Sequence, residues 1–508
     1  MAPAEEVGLF WFRRDLRLDD NPAWAAATTQ RKFVVPLYVI DPGLLASVGP
    51  YRRRQLIANL QALDYDLFEA TGGRLLVRFG DPTTLVPDAV RAFSATALFF
   101  NADVSPLARR RDDAVLDAIT VPAQTWHGSL VLPPGSVRTT KGALSKVFSA
   151  FHKVWARTDW DEWPEAGEAV VYDDPGEPLP VLDGPAPYFE GPKEARRRLD
   201  ALLATIDTAG DRPGDLAADA TSDLSADLRF GTISARAVVR AVGDSSPERQ
   251  QFVRQLARRD WYAHQLAQTP TLLTEEQVAK HRSIPWRNAP AQISAWKGGF
   301  TGYPLVDAGM RELRETGRMG HEARVAAASF LVKDLLVDWR IGEKHFRHLL
   351  VDADPAQNAG NWQWVAGTGN DASPINRVVD PVEHSRRHDP SGAYIRRWVP
   401  ELAPLDDDAV HAPWAADEDA LSAAGVRLGR DYPDPIVDHA AAREDFLAAV
   451  RPGSARAKRT PEAKPVELVP DDPSPTIAAA AAADPGPDRD EAAGVSGDDP
   501  VEPPAAAI

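Results

Sequence analysis

The chain has 508 residues, a net charge of −17 and no cysteine. That length suits two or three domains, and 44% hydrophobic with 26% charged residues is the balance of a chain that can bury a large core. The missing thiols exclude disulfides, thiolate zinc sites, cysteine nucleophiles and cysteine-held iron–sulfur clusters, and no metal is expected. The opening MAPAEEVGLFWFRRD lacks the basic and long apolar regions of a secretion signal. With no run of about 18 apolar residues, the expectation is a cytoplasmic monomer with no membrane partner.

In chain order, the first 130 residues alternate short apolar runs with helical patterns. VGLFWF (7–12), FVVPLYVI (33–40), LLVRFG (75–80) and ALFFN (97–101) predict buried strands. Helical spacing falls at about 51–70, 82–93 and 105–119. This alternation predicts an α/β domain over residues 1–130, with a parallel, Rossmann-like sheet covered on both faces. No GxGxxG follows the first strand, so the dinucleotide fingerprint is absent. Residues 131–192 read as an interdomain linker, acidic and proline-rich from 159 onward. Over 193–451 helical spacing dominates, in EARRRLDALLATI, PERQQFVRQLARRDWYAHQLA, LVDAGMRELRET and EARVAAASFLVKDLLVDW. An all-α second domain is predicted there. Residues 452–508 are rich in Pro, Ala and Asp and are expected to be disordered. The tail carries −6 and the remainder −11, so any nucleic-acid site must be a local basic patch.

Two stretches carry chemistry. In NAGNWQWVAGTGNDASPINR (358–377), Trp362 and Trp364 sit among small and amide residues. One reading is a pair of loop tryptophans that plug a core; the other is a functional aromatic pair. In TSDLSADLRFGTISAR (221–236), Thr221, Ser222 and Ser225 stand where a turn enters a helix. Hydroxyls and free N–H groups there suit a phosphate or serve as plain N-caps.

FWFRRDLRLDDNPAW, TSDLS followed by LRFGTIS, TGYPLVDAGMREL, SFLVKDLLVDWR and NWQWVAGTGNDASP occur in that order. Together they resemble the photolyase/cryptochrome flavoproteins over roughly residues 7–450. The resemblance implies an α/β domain, a long linker and a helical domain that holds FAD, with a folate or deazaflavin as a possible antenna pigment. It implies an electron-transfer chain through Trp362, Trp339 and Trp286. It assigns Thr221, Ser222, Leu224 and Ser225 to the pyrophosphate loop, Asp352 and Asp354 to acids beside the flavin and ribose, and Arg324 to a partner of Asp352 facing the isoalloxazine. Asn358 matches the residue near the flavin N5, where asparagine is the photolyase choice. A tyrosine that relatives often place before TSxLS is missing. The implied function is light-driven repair of cyclobutane pyrimidine dimers in damaged DNA, by electron transfer from excited reduced FAD to a flipped-out dimer. The alternative is a cryptochrome-like blue-light sensor without repair.

The lesion pocket departs from the family. Gln255 stands where a glutamate usually meets the dimer, and Arg258 where a tryptophan usually stacks on it; Trp364 matches a tryptophan lining the cavity. An arginine can stack by its planar face and also meet phosphate. In RMGHEAR (318–324), His321 replaces an asparagine, and Glu322 an arginine that usually holds phosphate. Glu322 is expected to repel phosphate; His321 reads either as an acid/base or as a structural histidine. Arg249, Arg254, Arg258 and Arg259 on one helix, with HSRRH (384–388) read as a basic loop, are the candidate DNA-tracking cations.

Overall fold

The first strand shows how the α/β half is built. In β1 (Val7–Phe12), Leu9 and Trp11 point into one apolar cluster, and Phe10 and Phe12 into another on the opposite face. A strand buried on both faces reads as a continuous apolar run rather than an alternation. The computed structural model describes residues 6–139, 142–188, 190–207, 215–217 and 222–451. The expected disordered tail, 452–508, lies outside these, and so does Thr221.

The sheet continues with β2 (Phe33–Ile40), β3 (Leu76–Phe79), β4 (Ala97–Asn101) and β5 (Ala123–Trp126), all parallel, in the order β3-β2-β1-β4-β5. Helices α1 (Pro22–Gln30), α2 (Pro50–Thr71), α3 (Pro82–Ala92) and α4 (Pro106–Ala118) form the connections. The predicted strands and three helices are present. Strand β5 and helix α1 are additions: AQTW is too polar to read as a buried run, and the alanines of α1 carry no apolar period. One punctuation recurs. Asn21–Pro22, Asp81–Pro82 and Ser105–Pro106 each pair a capping side chain with proline at the first helical position.

The linker is more structured than its composition suggests. It forms helix α5 (Phe148–Trp155), whose Phe148, Phe151 and Trp155 are buried. It also gives a short strand, β6 (Val170–Val171), parallel to the start of β2. The pairing is only two residues long, too short for a strand period to show in sequence.

The helical half contains α6 (Gly191–Thr205), α7 (Leu224–Phe230), α8 (Pro247–Gln268), α9 (Pro304–Thr316), α10 (His321–Ser329), α11 (Trp339–Leu349), α12 (Pro355–Ala366), α13 (Pro381–His388) and α14 (Ala393–Trp398). EARVAAASFLVKDLLVDW does not form one helix as its spacing predicts. Helix α10 ends at Ser329, a π turn spans Phe330–Asp334, and Leu336 adopts a positive φ of 50°. The cause is a pair of buried charges. The Lys333 ammonium donates to the Arg377 carbonyl, and Asp334 accepts from His439. NWQW, read as a loop, lies on α12, and HSRRH forms the end of α13. Among the described residues, no helix is long and apolar enough to cross a membrane.

The halves are bolted at the carboxyl ends of β1 and β4, where the strand order reverses. Doubly wound sheets commonly hold ligands at that point. Here side chains fill it. Arg13 reaches the Asn101 carbonyl and Asp112, and Asn101 donates to Asp15. Next to them, Arg14 donates to Asp103 at 2.9 Å and to Asp354 of the helical half at 2.5 Å. Gly231 has φ of +73°, and an added Cβ would overlap the Arg14 carbonyl, so the two backbones meet where only glycine fits.

Burial alone would raise the Asp103 and Asp354 carboxyls; the Arg14 charge overrides it and holds both below the ordinary carboxylate range. Arg14→Ala is expected to destabilise the protein by about 3 kcal/mol, the low end for a broken buried pair, because Arg14 keeps 24% of its side-chain surface. The stability these carboxylates give is complete above the unfolded carboxyl range and is lost as the pH falls below about 4. Urea unfolding should therefore separate wild type from Arg14→Ala at pH 7, with a smaller gap at about pH 3.

Candidate functional site

A cavity of about 640 Å³ opens in the helical half, within the range of about 300–1,000 Å³ usual for ligand sites. Its walls come from α7, α8, α10, α11, α12 and α14, and the loop 352–354 joins them. Elements distant in sequence thus place their predicted residues around one space: Ser222, Leu224, Ser225, Gln255, His321, Glu322, Arg324, Asp352, Asp354, Asn358, Trp362 and Trp364 all line it.

On one wall Arg324 donates to Asp352 at 2.9 Å, as expected. Burial would raise the Asp352 carboxyl, but Arg324 and the Ser225 hydroxyl hold it below the ordinary range. The second oxygen of Asp352, Oδ1, is buried without a partner. A buried acceptor left this way costs about 1–3 kcal/mol unless a donor arrives. Asp354 lines the cavity too, and it is also tied into the frame. Its Oδ2 accepts from Arg14, and its Oδ1 caps the amides of Ala356 and Gln357.

Asn358 donates from Nδ2 to the Glu343 carbonyl and to Glu343 Oε1, at 3.0 and 2.9 Å. Its two amide hydrogens are thereby taken, and what it presents to the cavity is an acceptor oxygen. Glu343 was not singled out in the sequence. Its spacing from Asn358, across two helices, carries no local pattern.

Of the three tryptophans of the expected chain, two are buried and the third is not. Trp362 is 3% and Trp339 0% exposed, and Trp286 is half-buried. The Trp362 ring packs edge-on to Phe346 at 5.0 Å and lies against Gly342, one turn after Trp339 on α11. The Trp286 segment is tied to the approach of Trp339 from both sides: the Arg287 amide donates to the Leu336 carbonyl, and the Asp338 amide to Asn288 Oδ1. The buried Trp296, not singled out in the sequence, stands 6.2 Å from Trp362.

Trp362 and Trp364 are two residues apart on a helix, so they point in different directions. The first turns to the core, and the second lies half-buried in the cavity wall. Gln255 is exposed at the same cavity. Arg258 is not part of the cavity wall. Its guanidinium lies 4.2 Å over the Phe148 ring and against the Tyr262 hydroxyl. Arg259 is buried and donates to the Ser129 and Leu228 carbonyls. It lines the cavity from inside and is not a surface cation. Arg249 is engaged with Asp207, and Arg254 with His152 and Phe148. The expected basic helix face is therefore largely used in intramolecular contacts. The exposed cation at the cavity is Arg397, which lies over Trp398 at 5.2 Å; the indole N–H of Trp398 is buried without a partner. Both were missed, although the run YIRRWVP mixes aromatic and basic residues in a way that marks such a surface.

Glu322 does not stand alone at the rim. His384 Nε2 approaches its carboxylate at 3.3 Å, and burial is overridden so that the acid is held below its ordinary range. His321 opens on the cavity. Desolvation by the surrounding walls outweighs the Glu322 charge and holds its imidazole below the usual histidine range. A tyrosine from the linker stands nearby: Tyr188 lines a cleft with Ser222, Ser225 and Arg324, its hydroxyl 3.4 Å from Asp223.

Residues 8–168 match the family model described as DNA photolyase, and residues 252–452 the model described as the FAD binding domain of DNA photolyase. A deoxyribodipyrimidine photo-lyase of Halobacterium salinarum is 37% identical, across 87% of this chain and 98% of its own length. The chain belongs to the DNA photolyase family. Among solved structures, a bacterial class III photolyase from Agrobacterium tumefaciens superposes with a TM-score of 0.80 at 34% identity, across 88% of this chain and 98% of that one. A Synechocystis cryptochrome gives 0.79 at 28% identity, across 88% and 100%.

The photolyase cavity of this chain fits FAD on its own donor set. An unpartnered buried carboxylate oxygen, a guanidinium beside it, and the Asn358 acceptor face one space. Such a set suits a ligand that carries N–H donors and anionic groups together. The close packing of α11 on α12 sets the cavity floor. An added Cβ at Gly342 would overlap the Trp362 ring. Gly342→Ala is expected to cost about 1–3 kcal/mol through overpacking, read as a lowered melting temperature and reduced FAD content after purification.

Proposed function

We propose that the protein repairs cyclobutane pyrimidine dimers in DNA by light-driven electron transfer, with FAD in the cavity of the helical half. The observation that carries this is the cavity itself, which gathers Trp362, Trp364 and Trp398 beside the Arg324–Asp352 pair and Asn358. Trp339 is buried on the helix packed against Trp362, and Trp286 is half-buried. The relatives named above, deoxyribodipyrimidine photo-lyases among them, support the same reading.

When bound, FAD supplies the photoexcited electron donor. The chain's own residues supply the rest. Arg324 places positive charge beside the cavity, which favours an anionic ligand state. Asn358 offers an acceptor and has no readily released proton, so it does not protonate its neighbour. Trp362, Trp339 and Trp286 form the refilling route, because indole rings are large and readily oxidised. Trp364 and Trp398 give flat faces to an extruded base, each such stack contributing about 1–3 kcal/mol; photolyases are among the enzymes that flip their target. Gln255 offers amide hydrogen bonds to the base edges. Arg397, rather than Arg258, supplies the phosphate contact at the mouth. An antenna pigment, a folate or a deazaflavin, is assigned to the α/β half on the family resemblance.

An oligonucleotide carrying one dimer is expected to be repaired under blue light and to remain unrepaired in the dark. A FAD-loaded protein without light-dependent repair would overturn the reading in favour of a light sensor. Trp364→Ala should weaken binding to that oligonucleotide by about 1–3 kcal/mol, about five- to 150-fold in Kd. Trp362→Phe should remove most photoreduction of the oxidised protein while repair by chemically reduced protein persists. Absorbance at the flavin bands follows the first step, and product chromatography the second.

A further inference from the structure

Helix α13 carries His384 and His388 one turn apart, on the same face. Both face Glu322, in the first turn of α10. The Nε2 atoms of His384 and His388 lie 3.3 and 3.7 Å from the same carboxylate oxygen, Oε2. One donor atom from each of the three residues falls within 4.8 Å of the other two. The sequence gives no hint of this, because 62 residues separate Glu322 from His384. The metal-free expectation rested on the absence of cysteine.

An ion pair accounts poorly for the arrangement. The 3.7 Å approach is outside hydrogen-bond range. The imidazole rings have centroids 4.4 Å apart, so protonating both would set like charges against each other. His384 Nε2 also lies 3.1 Å from the Glu322 carbonyl, so in this arrangement it carries a proton shared with Glu322. A divalent cation would displace that proton: two neutral imidazoles would turn lone pairs to it, and the carboxylate would balance part of its charge. Around zinc, with bonds of about 2.0–2.2 Å, tetrahedral ligand atoms lie roughly 3.3–3.5 Å apart. Two of the three observed edges are already near that figure, and the third closes with small side-chain rotations. The helix is also held rigid. Asp380 caps its start, Ser385 bonds His411 at 2.7 Å, and the Leu216 amide donates to the His388 carbonyl at the end.

We propose that Glu322, His384 and His388 form a binding site for a zinc-class divalent cation that clamps α13 onto α10 at the rim of the cavity. Two imidazoles and a carboxylate select a borderline cation over magnesium or calcium, which prefer all-oxygen shells. Three protein ligands leave a fourth position to water. The ion also changes the rim's sign, from the negative charge of Glu322 alone to a net positive one. Glu322 lines the same cavity as the residues assigned to FAD, but the cluster uses none of those residues, so the proposal holds whether or not the repair reading does.

The test uses the full-length flavoprotein, stripped with chelator and then equilibrated with zinc chloride. Wild type should retain one zinc per chain by elemental analysis after gel filtration, and its melting temperature should rise with zinc but not with magnesium. His384→Ala, His388→Ala and Glu322→Gln should each lower zinc affinity by about 100-fold or more, beyond the 10–100-fold known for outer-shell partners. His348→Ala, remote from the cluster, should leave it unchanged. Cobalt(II) gives an independent readout that needs no variant: with the flavin fully oxidised, a four-coordinate site shows absorption at longer wavelength than the flavin bands. No retained zinc and no cobalt band in wild type, or equal zinc affinity in the three variants, would show a hydrogen-bonded cluster instead and overturn the proposal.

Discussion

The rest of the molecule depends on where one guanidinium sits. Arg14 leaves the carboxyl end of β1 and bridges Asp103, of its own half, to Asp354 of the other. Asp354 is also the N-cap of α12, with Pro355 at the first helical position. The salt bridge and the cap share one carboxylate, so the joint between the halves and the start of α12 cannot move independently. That helix carries Asn358, Trp362 and Trp364. The inner wall of the cavity is therefore referenced to the parallel sheet, through a charge pair whose geometry is bidirectional and short. A cap alone contributes about 1 kcal/mol; sharing it with a buried cation makes its loss far more disruptive.

Electrostatics at the cavity follow from where charges are engaged. The helix-α8 arginines read as a DNA-tracking row are bound to Asp207, to His152 and Phe148, or to backbone carbonyls. Sequence spacing placed Arg254 and Arg258 on one face correctly, yet the same face meets Phe148 of the linker helix. A chain of net charge −17 thus presents its free positive charge sparingly, and Arg397 beside Trp398 is where it meets the cavity.

Legibility divides along a physical line. Strands such as VGLFWF were readable because burial on both faces leaves an unbroken apolar run. Three of the helices between them were readable from spacing alone, whereas α1 was not, although its cap and proline mark its start. The Arg324–Asp352 pair became legible only through a family resemblance, and the expectation of a tryptophan chain rests on the same resemblance, since the separation of Trp286 from Trp362 in sequence says nothing about their separation in space. Contacts made between elements stayed hidden. Glu343 fixing Asn358, Tyr188 arriving from the linker, and Asp354 turned toward Arg14 all depend on packing. The π turn after α10 was misread for a related reason: its residues keep helical spacing, and the buried Lys333 and Asp334 that break it find partners on remote segments.

The two-residue strand β6 has a consequence for how the site works. A segment that looks like a flexible tether is hydrogen-bonded to the rim of the sheet, and its helix α5 is sunk in the core of the other half. Such a connection ties the two halves into one arrangement at both of its ends. In that arrangement the protein meets its substrate with the recess already formed. The work of fitting then falls on the nucleic acid, which must bend and unstack until the damaged bases reach the recess. Discrimination follows from that division of labour: a lesion that has already weakened its own stacking needs less deformation than intact duplex. A preformed recess can select it by the softness of the DNA as much as by contacts.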